Sequence, residues 1–308
     1  MRIQTSFLCS TLVHTSALRR SFLRTPSALA MSSTTPTKPS IPDDYQVPTV
    51  WKYDATTMKP IHGSNVPTSG AQTEKELPKG SHDIQLYGLG TPNGVKASIL
   101  LEELNELKEI EYDAWLINIG SGDQFTSGFV AINPNSKIPA ILDQSNGARV
   151  FESGAILLYL AEKYDAFLPK DPVQKAECIS WVFYQTGAGP YYGGGGLSHF
   201  NGAAPMKWEY AIDRYTIETK RIMDVMDKHL EGKDYFVGDS LTVADIMHYA
   251  WNKRLVEQDY LNGSSYTNLK AWVERIGARP AVQRGVRVLG WGDNAIKERH
   301  SKADFDTK

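Results

Sequence analysis

The sequence predicts a mixed α/β domain followed by an all-helical domain. Its 308 residues are enough for about two domains of 100–200 residues each. Between residues 84 and 164, short apolar runs alternate with segments of helical periodicity, whereas beyond a linker at 165–172 only helical patterns remain. A hydrophobic content of 41% and a charged content of 22% are typical of a globular chain.

The first domain is expected to follow the order βαβαββα, with a mixed sheet covered by helices. The predicted strands lie at 84–87, 112–119, 138–142 and 149–151, and two of the helices at 124–132 and 153–164. The remaining helix begins near Pro92, which fits a first turn because its missing N–H would have no partner there. Its apolar face contains Ala97, Leu100, Leu101, Leu104 and Leu107. The last helix turns Leu157, Leu160, Ala161 and Tyr164 inwards. Ser145, Asn146 and Gly147 form the turn of a hairpin between the last two strands.

The second domain is expected to contain four longer helices and a shorter one after Pro280. The longer helices are predicted at 173–186, 205–231, 242–255 and 266–277. Thr242 and Asp245 fit a capping box, in which hydroxyl and carboxylate satisfy each other's free backbone donors. That motif marks the start of a helix.

The first thirty residues have the composition of a mitochondrial transit peptide, rich in Ser and Thr and without acids. Their arginines are Arg2, Arg19, Arg20 and Arg24, and the first carboxylate of the chain is Asp43. Two alternatives stay open: a disordered tail, and a start at Met31 that would leave a cytoplasmic form. The expected organisation is a transit peptide or unpacked tail at 1–50, an extended arm at 51–82, domains at 83–165 and 172–295, and a tail at 296–308.

Charge and cysteine content exclude several classes of function. The 33 basic and 35 acidic side chains give a net charge of −2, which argues against nucleic acid as a partner. No apolar run approaches the roughly 20 residues of a membrane-spanning helix, so no membrane partner is expected. Cys9 and Cys178 alone form neither a disulfide framework nor a metal cluster, and no metal is expected. Cys178, within a helical pattern, is expected to be a buried structural cysteine.

The segment Gly90-Thr91-Pro92-Asn93 lies between a strand and a helix N-terminus. Free N–H groups and the helix dipole favour an anion there, and a thiolate is such an anion. The alternative is an ordinary strand-to-helix turn.

Two further segments are candidate ligand contacts. A cis bond between Ile138 and Pro139 would leave the N–H and C=O of Ile138 free to pair with an extended peptide, the alternative being a trans proline at a strand start. Ser153 and nearby N–H groups can bind a carboxylate while Glu152 accepts an amino group, the alternative being a plain N-cap serine. Together with the helix start, they describe a site for a small peptide that has a carboxylate and an amine at one end.

Residues from about 50 to 300 resemble a glutathione transferase, in which the Ile-Pro pair, the Glu-Ser pair and the Thr-x-x-Asp capping box follow in this order. The strings GTPNGVKASILLEEL, EYDAWLINIGSGDQFTSGFVAINPNSKIPA, RVFESGAILLYLAEK and AIDRYTIETKRIMDVMDKHL are similar to its Nu-class, YghU-type branch, which is related to glutathione-dependent disulfide-bond oxidoreductases. The resemblance implies a thioredoxin-like first domain, a helical C-terminal domain and a homodimer. Glutathione would be the co-substrate, possibly two molecules per subunit.

The resemblance also implies roles for individual residues. Thr91, Pro92 and Asn93 stand where relatives have a catalytic Tyr, Ser or Cys, and Thr91 and Asn93 would donate hydrogen bonds to the glutathione sulfur. The remaining tripeptide contacts would be Ile138 beside Pro139 for the cysteinyl part, Glu152 and Ser153 for the γ-glutamyl part, and Lys137 and Gln124.

A second glutathione would contact Asn65, Gln185 and Arg214. Arg214 tends to one side of its helix with Glu218 and Ile222, and a charged group there needs a partner. An internal carboxylate and a ligand carboxylate both stay open.

These inferences favour an enzyme that reduces disulfides through a bound glutathione thiolate rather than a protein cysteine. Its partners would be glutathione and a small disulfide or electrophile. The enzymatic alternative is conjugation of glutathione to an electrophile, and the alternative from another class is a non-catalytic binding or regulatory protein with the same fold.

Overall fold

The computed structural model describes residues 46–62 and 66–306. The chain divides into Met1–Tyr45, which lies outside the described part, and one compact unit, Gln46–Lys308. The transit-peptide segment, Met31 and Cys9 therefore lie outside the described residues, as does Asn65.

The described strands are β1 Ile84–Gly88, β2 Tyr112–Leu116, β3 Ala140–Asp143 and β4 Ala148–Phe151. The helices are α1 Ala55–His62, α2 Gly94–Lys108, α3 Ser127–Ile132, α4 Ser153–Lys163, α5 Pro172–Tyr192, α6 Glu209–His229, α7 Val243–Val256, α8 Thr267–Gly277 and α9 Pro280–Gly285. Short 3-10 turns lie at Asp123–Phe125, Asp259–Leu261, Gly263–Ser265 and Lys302–Phe305, and a π turn lies at Ser198–Ala203.

The sheet has the order β2-β1-β3-β4. Strand β1 pairs in parallel with β2 and antiparallel with β3, and β3 pairs antiparallel with β4. The hairpin between β3 and β4 turns at Gly147, whose φ of 76° suits glycine. All five residues of β1 are buried, as expected for a central strand that is covered on both faces. The predicted mixed sheet and the order βαβαββα are thus confirmed.

Helix α2 lies between the sheet and the helical domain, where it packs against α4, α7 and α9. Every residue from Gly94 to Asn105 is therefore buried, including polar ones. The predicted inward position of Leu107 is wrong: Leu107 is 60% exposed, because the buried part of α2 ends at Asn105 and its last turn is not covered. Pro92 also lies ahead of the helix rather than in its first turn, since α2 begins at Gly94.

Three predicted helices have other bounds in the structure, and the one predicted at 205–231 is α6, which begins only at Glu209 and ends at His229. Helix α5 continues beyond residue 186 to Tyr192 with Pro190 inside it, and Gly193 ends it. The segment predicted as one helix at 124–132 is a 3-10 turn followed by α3, separated at Thr126. The capping box at Thr242 is confirmed, since Ala244 N–H donates to the Thr242 hydroxyl and Thr242 N–H to the Asp245 carboxylate.

The N-terminal arm is partly helical, so the prediction of a wholly extended arm is wrong. Helix α1 forms because Asp54 accepts a hydrogen bond from Thr56 N–H at 2.9 Å and caps the first turn. Farther along, Thr73 makes a parallel bridge with Thr126, and Gln72 N–H donates to Phe125 C=O at 2.8 Å. The arm is thereby fixed beside the segment that contains Gln124.

The C-terminal segment is an integral part of the first domain. Arg299 pairs with Ala114 of β2 through two backbone hydrogen bonds, and so covers the edge of the sheet. Its fully buried guanidinium lies 4.0 Å from the Tyr112 ring centre and donates to Glu102 at 3.2 Å. Among the described helices, none is both long and apolar enough to cross a membrane.

Candidate active site

The turn before α2 is shaped by close backbone contacts. Gly90 N–H donates to Leu289 C=O at 2.6 Å, and a Cβ at Gly90 would lie only 2.7 Å from the Gly290 Cα. A side chain at position 90 would thus collide with the C-terminal segment. Thr91 follows with its hydroxyl oxygen accepting from Gly94 N–H at 3.2 Å. The hydroxyl hydrogen remains free to donate to a ligand.

Asn93 is the residue before α2, and its side chain forms no capping hydrogen bond. Its carboxamide oxygen instead accepts from Lys96 Nζ and from Trp251 Nε1, both at 2.9 Å. Asn93 is exposed, so its two N–H donors are open to the space in front of the helix. The helix start therefore presents donors from both Thr91 and Asn93, which is the arrangement that stabilises an anion.

Lys96 connects three of the predicted site residues, Asn93, Ser153 and Gln185, although it was not predicted as a site residue. Its side chain is 1% exposed, and Nζ donates to Gln185 Oε1 at 2.7 Å, to Asn93 Oδ1 at 2.9 Å and to Ser153 Oγ at 3.4 Å. Burial lowers the pKa of Lys96 to about 7, with the charge of Glu152 acting in the opposite direction. A cation that titrates near neutral pH thus lies beside the helix start.

Trp251 was also missed by sequence reasoning, since nothing in the helical pattern around it distinguishes it from its neighbours. It belongs to α7 of the helical domain, 158 positions from Asn93, and no local signal links the two. For Lys96, the spacing of three residues from Asn93 was an available signal, because it places both on one face of a helix.

Ile138 and Pro139 are joined by a cis peptide bond, so the cis alternative is the one found. The loop before them is braced by Asn133, whose amide donates to Lys137 C=O at 2.6 Å. Within the described residues, neither the N–H nor the C=O of Ile138 has a hydrogen-bond partner. Both groups are available to an extended peptide, and Lys137 beside them is exposed.

Glu152 and Ser153 lie at the junction of β4 and α4. Glu152 has a φ of 71° and a ψ of 121°, a conformation that non-glycine residues rarely adopt and that is typical of functional sites. Ser153 is the first residue of α4 and its hydroxyl forms no cap, so the plain N-cap alternative does not describe it. The Glu152 carboxylate is exposed while the Ser153 hydroxyl faces Lys96.

Gln124 and Gln185 are both buried. Gln124 donates to Ile119 C=O at 3.3 Å, and its own side-chain oxygen has no partner in the described part of the chain. Gln185 is 2% exposed, and its amide joins Lys96 to the Tyr192 hydroxyl. A direct contact of Gln185 with a ligand would require one of these partners to move.

Arg214 is exposed on α6 and forms no salt bridge with the residues that the structure describes. Glu218, one turn farther along the same helix, is instead paired with Arg221 at 2.7 Å. Of the two alternatives for Arg214, an internal ion pair is therefore absent from the described structure.

Cys178 cannot supply a reactive thiol to this site. It is completely buried in the helical domain, and burial raises the pKa of its thiol, so it stays protonated at neutral pH. Among the described residues there is also no group of three or more His, Cys, Asp or Glu that could hold a metal ion.

Family models and known proteins match most of the chain in sequence. Residues 82–162 match the family described as "Glutathione S-transferase, N-terminal domain", and residues 209–280 match "Glutathione S-transferase, C-terminal domain". The chain is 47% identical over 276 residues to disulfide-bond oxidoreductase YghU of Escherichia coli K12, covering 85% of this chain and 96% of that one. It is 40% identical over 216 residues to disulfide-bond oxidoreductase YfcG of the same organism, covering 68% and 97%.

Three solved structures of glutathione transferases are similar to this chain in sequence and fold. The chain is 52% identical to glutathione transferase YghU of Streptococcus pneumoniae in complex with glutathione, with a TM-score of 0.76 over 79% of this chain and 97% of that one. A Pseudomonas putida glutathione transferase with one glutathione disulfide per subunit is 36% identical, with a TM-score of 0.64 over 69% and 94%. A Pseudomonas fluorescens family member with two bound glutathiones is also 36% identical, with a TM-score of 0.62 over 67% and 92%.

Proposed function

Since this chain belongs to the glutathione S-transferase family, we propose that it reduces disulfides with glutathione, and that the reacting thiol comes from glutathione rather than from the protein. The observation on which this depends is the start of α2. It presents the donors of Thr91 and Asn93, and no cysteine stands there. Two relatives named as disulfide-bond oxidoreductases, YghU and YfcG, support the reaction class, and similarity to YghU supports a Nu-class assignment.

The glutathione sulfur would lie in front of the helix start as a thiolate. The Thr91 hydroxyl and the Asn93 amide donate to it, and the N-terminal dipole of α2 and the Lys96 cation add favourable charge. The ordinary thiol pKa is about 8.5, and such an environment lowers it, so that more of the nucleophile is ionised at neutral pH.

The reaction is two successive thiol–disulfide exchanges. The bound thiolate attacks one sulfur of the substrate disulfide, so that a mixed disulfide with glutathione forms and the other sulfur leaves as a thiolate that takes up a proton. A second glutathione thiolate then attacks the glutathione sulfur of the mixed disulfide. Oxidised glutathione and a second reduced thiol are released, and two glutathiones supply the two electrons. Holding both partners in place accounts for several kcal/mol of a typical barrier reduction.

The rest of the first glutathione is proposed to lie along the edge of the thioredoxin-like domain. Ile138, preceding Pro139, would pair with the cysteinyl backbone, and Glu152 and Ser153 would hold the γ-glutamyl amine and carboxylate. Lys137 and Gln124 would contact the remaining groups of the tripeptide. The free backbone groups of Ile138 and the unpaired oxygen of Gln124 support this assignment.

A second glutathione is proposed beside the first, in contact with Asn65, Gln185 and Arg214. The exposed guanidinium of Arg214, without a salt bridge to the described residues, supports it as the partner of a ligand carboxylate. Calorimetry with reduced glutathione tests this assignment: an Arg214→Ala variant should lose the weaker of two binding events. Two unchanged events would contradict it.

Conjugation of glutathione to an electrophile is the alternative, because the same thiolate would serve. We favour disulfide reduction because the named relatives are disulfide-bond oxidoreductases and the helix start has neither Tyr nor Ser at the matching site. Rates measured with a small disulfide and with an aryl halide separate the two reactions. A larger kcat/KM for the disulfide supports our proposal, whereas a larger one for the halide contradicts it. A chain that binds no glutathione would instead be a non-catalytic relative.

We also propose that the protein is a homodimer. Phe183 on α5 and Tyr210 and Ile217 on α6 are large apolar side chains that are exposed in the single chain. Tyr210 and Ile217 are seven positions apart and so share a helix face. Sedimentation equilibrium should give twice the chain mass, and an Ile217→Lys variant should shift it towards the monomer. A monomer at all concentrations would contradict the proposal.

For the N-terminal segment we propose import into the mitochondrial matrix, with a cytoplasmic form from Met31. The acid-free, arginine-containing composition of residues 1–30 supports it. A reporter fused to these residues should enter mitochondria, and a reporter fused from Met31 should stay in the cytoplasm. Equal distribution of the two fusions would contradict this targeting.

A further inference from the structure

We propose that Lys96 and Trp251 are positioning residues for disulfide reduction: together they hold the carboxamide oxygen of Asn93 and thereby direct its two N–H donors towards the glutathione sulfur. The inference deepens the proposed function and rests on it, because it requires a thiolate in front of α2. Neither residue is assigned a contact with the substrate.

The chemistry of the two donors fixes the orientation of the Asn93 amide. An ammonium group has three N–H donors and no acceptor, and an indole has one N–H donor and no acceptor. The Asn93 atom that lies 2.9 Å from both Lys96 Nζ and Trp251 Nε1 must therefore be the oxygen. If the amide turned by half a rotation, its NH₂ group would face two donors and its oxygen would face the sulfur. A thiolate is repelled by that oxygen, so the observed orientation is the one that stabilises it.

The environment of Lys96 matches an ammonium group atom by atom. Its three N–H bonds have three oxygen acceptors, on Asn93, Gln185 and Ser153. Stability alone does not explain a cation here, because burial disfavours charge and a lysine in the first turn of a helix opposes the helix dipole. Glu152 is the oppositely charged group that favours the ammonium form, and its carboxylate is exposed. The hydrogen bond from Lys96 to the Asn93 oxygen explains why a lysine is found at this position.

Trp251 makes the orientation of Asn93 dependent on the helical domain. The Tyr192 ring packs against the Trp251 indole, with ring centres 5.3 Å apart. Gly193 lies against its other edge, and a Cβ there would be 3.2 Å from the indole ring. The indole N–H thus has a fixed direction, and it reaches across from α7 to the start of α2. The Asn93 oxygen thus accepts one hydrogen bond from each domain, from Lys96 of the first and from Trp251 of the second.

The test uses Trp251→Phe and Lys96→Met, each with a matched control. Trp115→Phe removes an indole N–H that donates to the Gln85 carboxamide oxygen at the same 2.9 Å and forms no hydrogen bond with the helix start. Lys220→Met removes a lysine that donates to a backbone carbonyl at 2.6 Å in the helical domain. Trp251→Phe is the cleaner of the two test variants, because the indole contacts neither Gln185 nor Ser153 through hydrogen bonds.

Two quantities are measured in the full chain: the pKa of the bound glutathione thiol, from the ultraviolet absorbance of the thiolate, and kcat/KM with a small disulfide. Trp251→Phe and Lys96→Met should each raise the thiol pKa by about one unit and lower kcat/KM about tenfold. Binding of S-methylglutathione, which has no thiol to ionise, should change less than about threefold, and both controls should match the wild type. A merely structural role would weaken the binding of both ligands and leave the thiol pKa unchanged.

An Asn93→Ala background shows whether the effect passes through Asn93. There, Trp251→Phe should add less than about twofold, because the amide that it orients is gone, and Lys96→Met should add only the loss of its own charge beside the thiolate. A full effect in that background, or an unchanged thiol pKa in both single variants, overturns the inference while the proposed function stands. A wild-type thiol pKa at the ordinary value of about 8.5 would instead overturn the proposed function itself. If Lys96→Met does not fold, Trp251→Phe alone decides.

Discussion

The starts of α7 and α2 each contain a threonine with a polar side chain nearby, and they have opposite properties. At the start of α7, Thr242 and Asp245 satisfy each other's backbone donors, and Asp245 is fully buried. At the start of α2, the Thr91 oxygen accepts one N–H and Asn93 caps nothing. The first site uses all of its hydrogen-bonding groups to stabilise the fold. The second leaves donors open to solvent, which is what a ligand-binding helix start requires.

The largest expected effect is on stability, at the α7 start. The Asp245 carboxylate accepts from Phe236 N–H, Thr242 N–H and Trp272 Nε1, all at 2.9 Å. Asp245→Ala removes the acceptor of these three buried N–H groups and of the Thr242 hydroxyl, and should lower the free energy of unfolding by about 3 kcal/mol or more. Denaturant unfolding measures this, and Thr242→Ala, expected to lose about 1 kcal/mol, is the graded control. A loss below that of Thr242→Ala would contradict the assignment of Asp245 as the centre of this cap.

The second effect is on activity, at the α2 start. Asn93→Ala should lower kcat/KM for a small disulfide about 100-fold, the usual loss when a hydrogen-bond donor to a developing anion is removed. Its free energy of unfolding should fall by about 1–2 kcal/mol, less than for Asp245→Ala, because Asn93 caps nothing but accepts from Lys96 and Trp251. Steady-state kinetics and denaturant unfolding of the same preparation provide the two values. The reverse pattern, with lost stability and retained activity, would mean that the two helix starts have the same structural role.

The third effect concerns the dependence of stability on pH. The pKa of Lys96 is lowered by burial from 10.5 to about 7. Between these values the unfolded chain binds a proton that the folded chain lacks, so this residue makes stability rise with pH above about 7. Between pH 7 and 9 the free energy of unfolding of ligand-free wild type, relative to Lys96→Met, should rise by about 2 kcal/mol. A constant difference would show that folding does not lower the pKa of Lys96, and a falling difference would show that folding raises it.

The smallest effect is at Thr91. Its hydroxyl is one of two donors to the sulfur, so Thr91→Ala should reduce kcat/KM about tenfold, and Thr91→Ser should restore most of it. The threonine methyl group has no assigned role in the reaction. Kinetics of the two variants side by side measures this, and equal losses in both would assign the effect to packing instead of to the hydroxyl.

The parts of this site that depend on local sequence could be predicted, and those that depend on the packing of distant segments could not. Strand, turn and helix around Thr91 and Asn93 follow from periodicity and turn chemistry, as does the capping box at Thr242. Lys96 reads as a solvent-facing residue of an amphipathic helix. It is buried because the helical domain covers the face of α2 that a free domain would expose.

Packing between distant segments also explains why the roles of other residues could not be predicted from the sequence. Trp251 reaches Asn93 only because α7 packs against α2. Arg299 was expected in a tail, yet its buried contacts with Tyr112 and Glu102 form only when the C-terminal segment pairs with the edge of β2. Helix α1 depends on Asp54, a local cap within a proline-containing stretch that lacks apolar periodicity.

The most direct test of catalysis without a protein thiol is the disulfide-reductase activity of a cysteine-free chain. The sequence has only Cys9 and Cys178, so a Cys9→Ser, Cys178→Ala double variant has no thiol of its own. With glutathione as the only reductant, its kcat/KM for a small disulfide should be within about twofold of the wild-type value, since a substitution with no role in catalysis leaves transition-state stabilisation unchanged. Loss of activity in a variant whose circular dichroism and unfolding transition match the wild type would contradict the mechanism, because the reacting thiol would then belong to the protein.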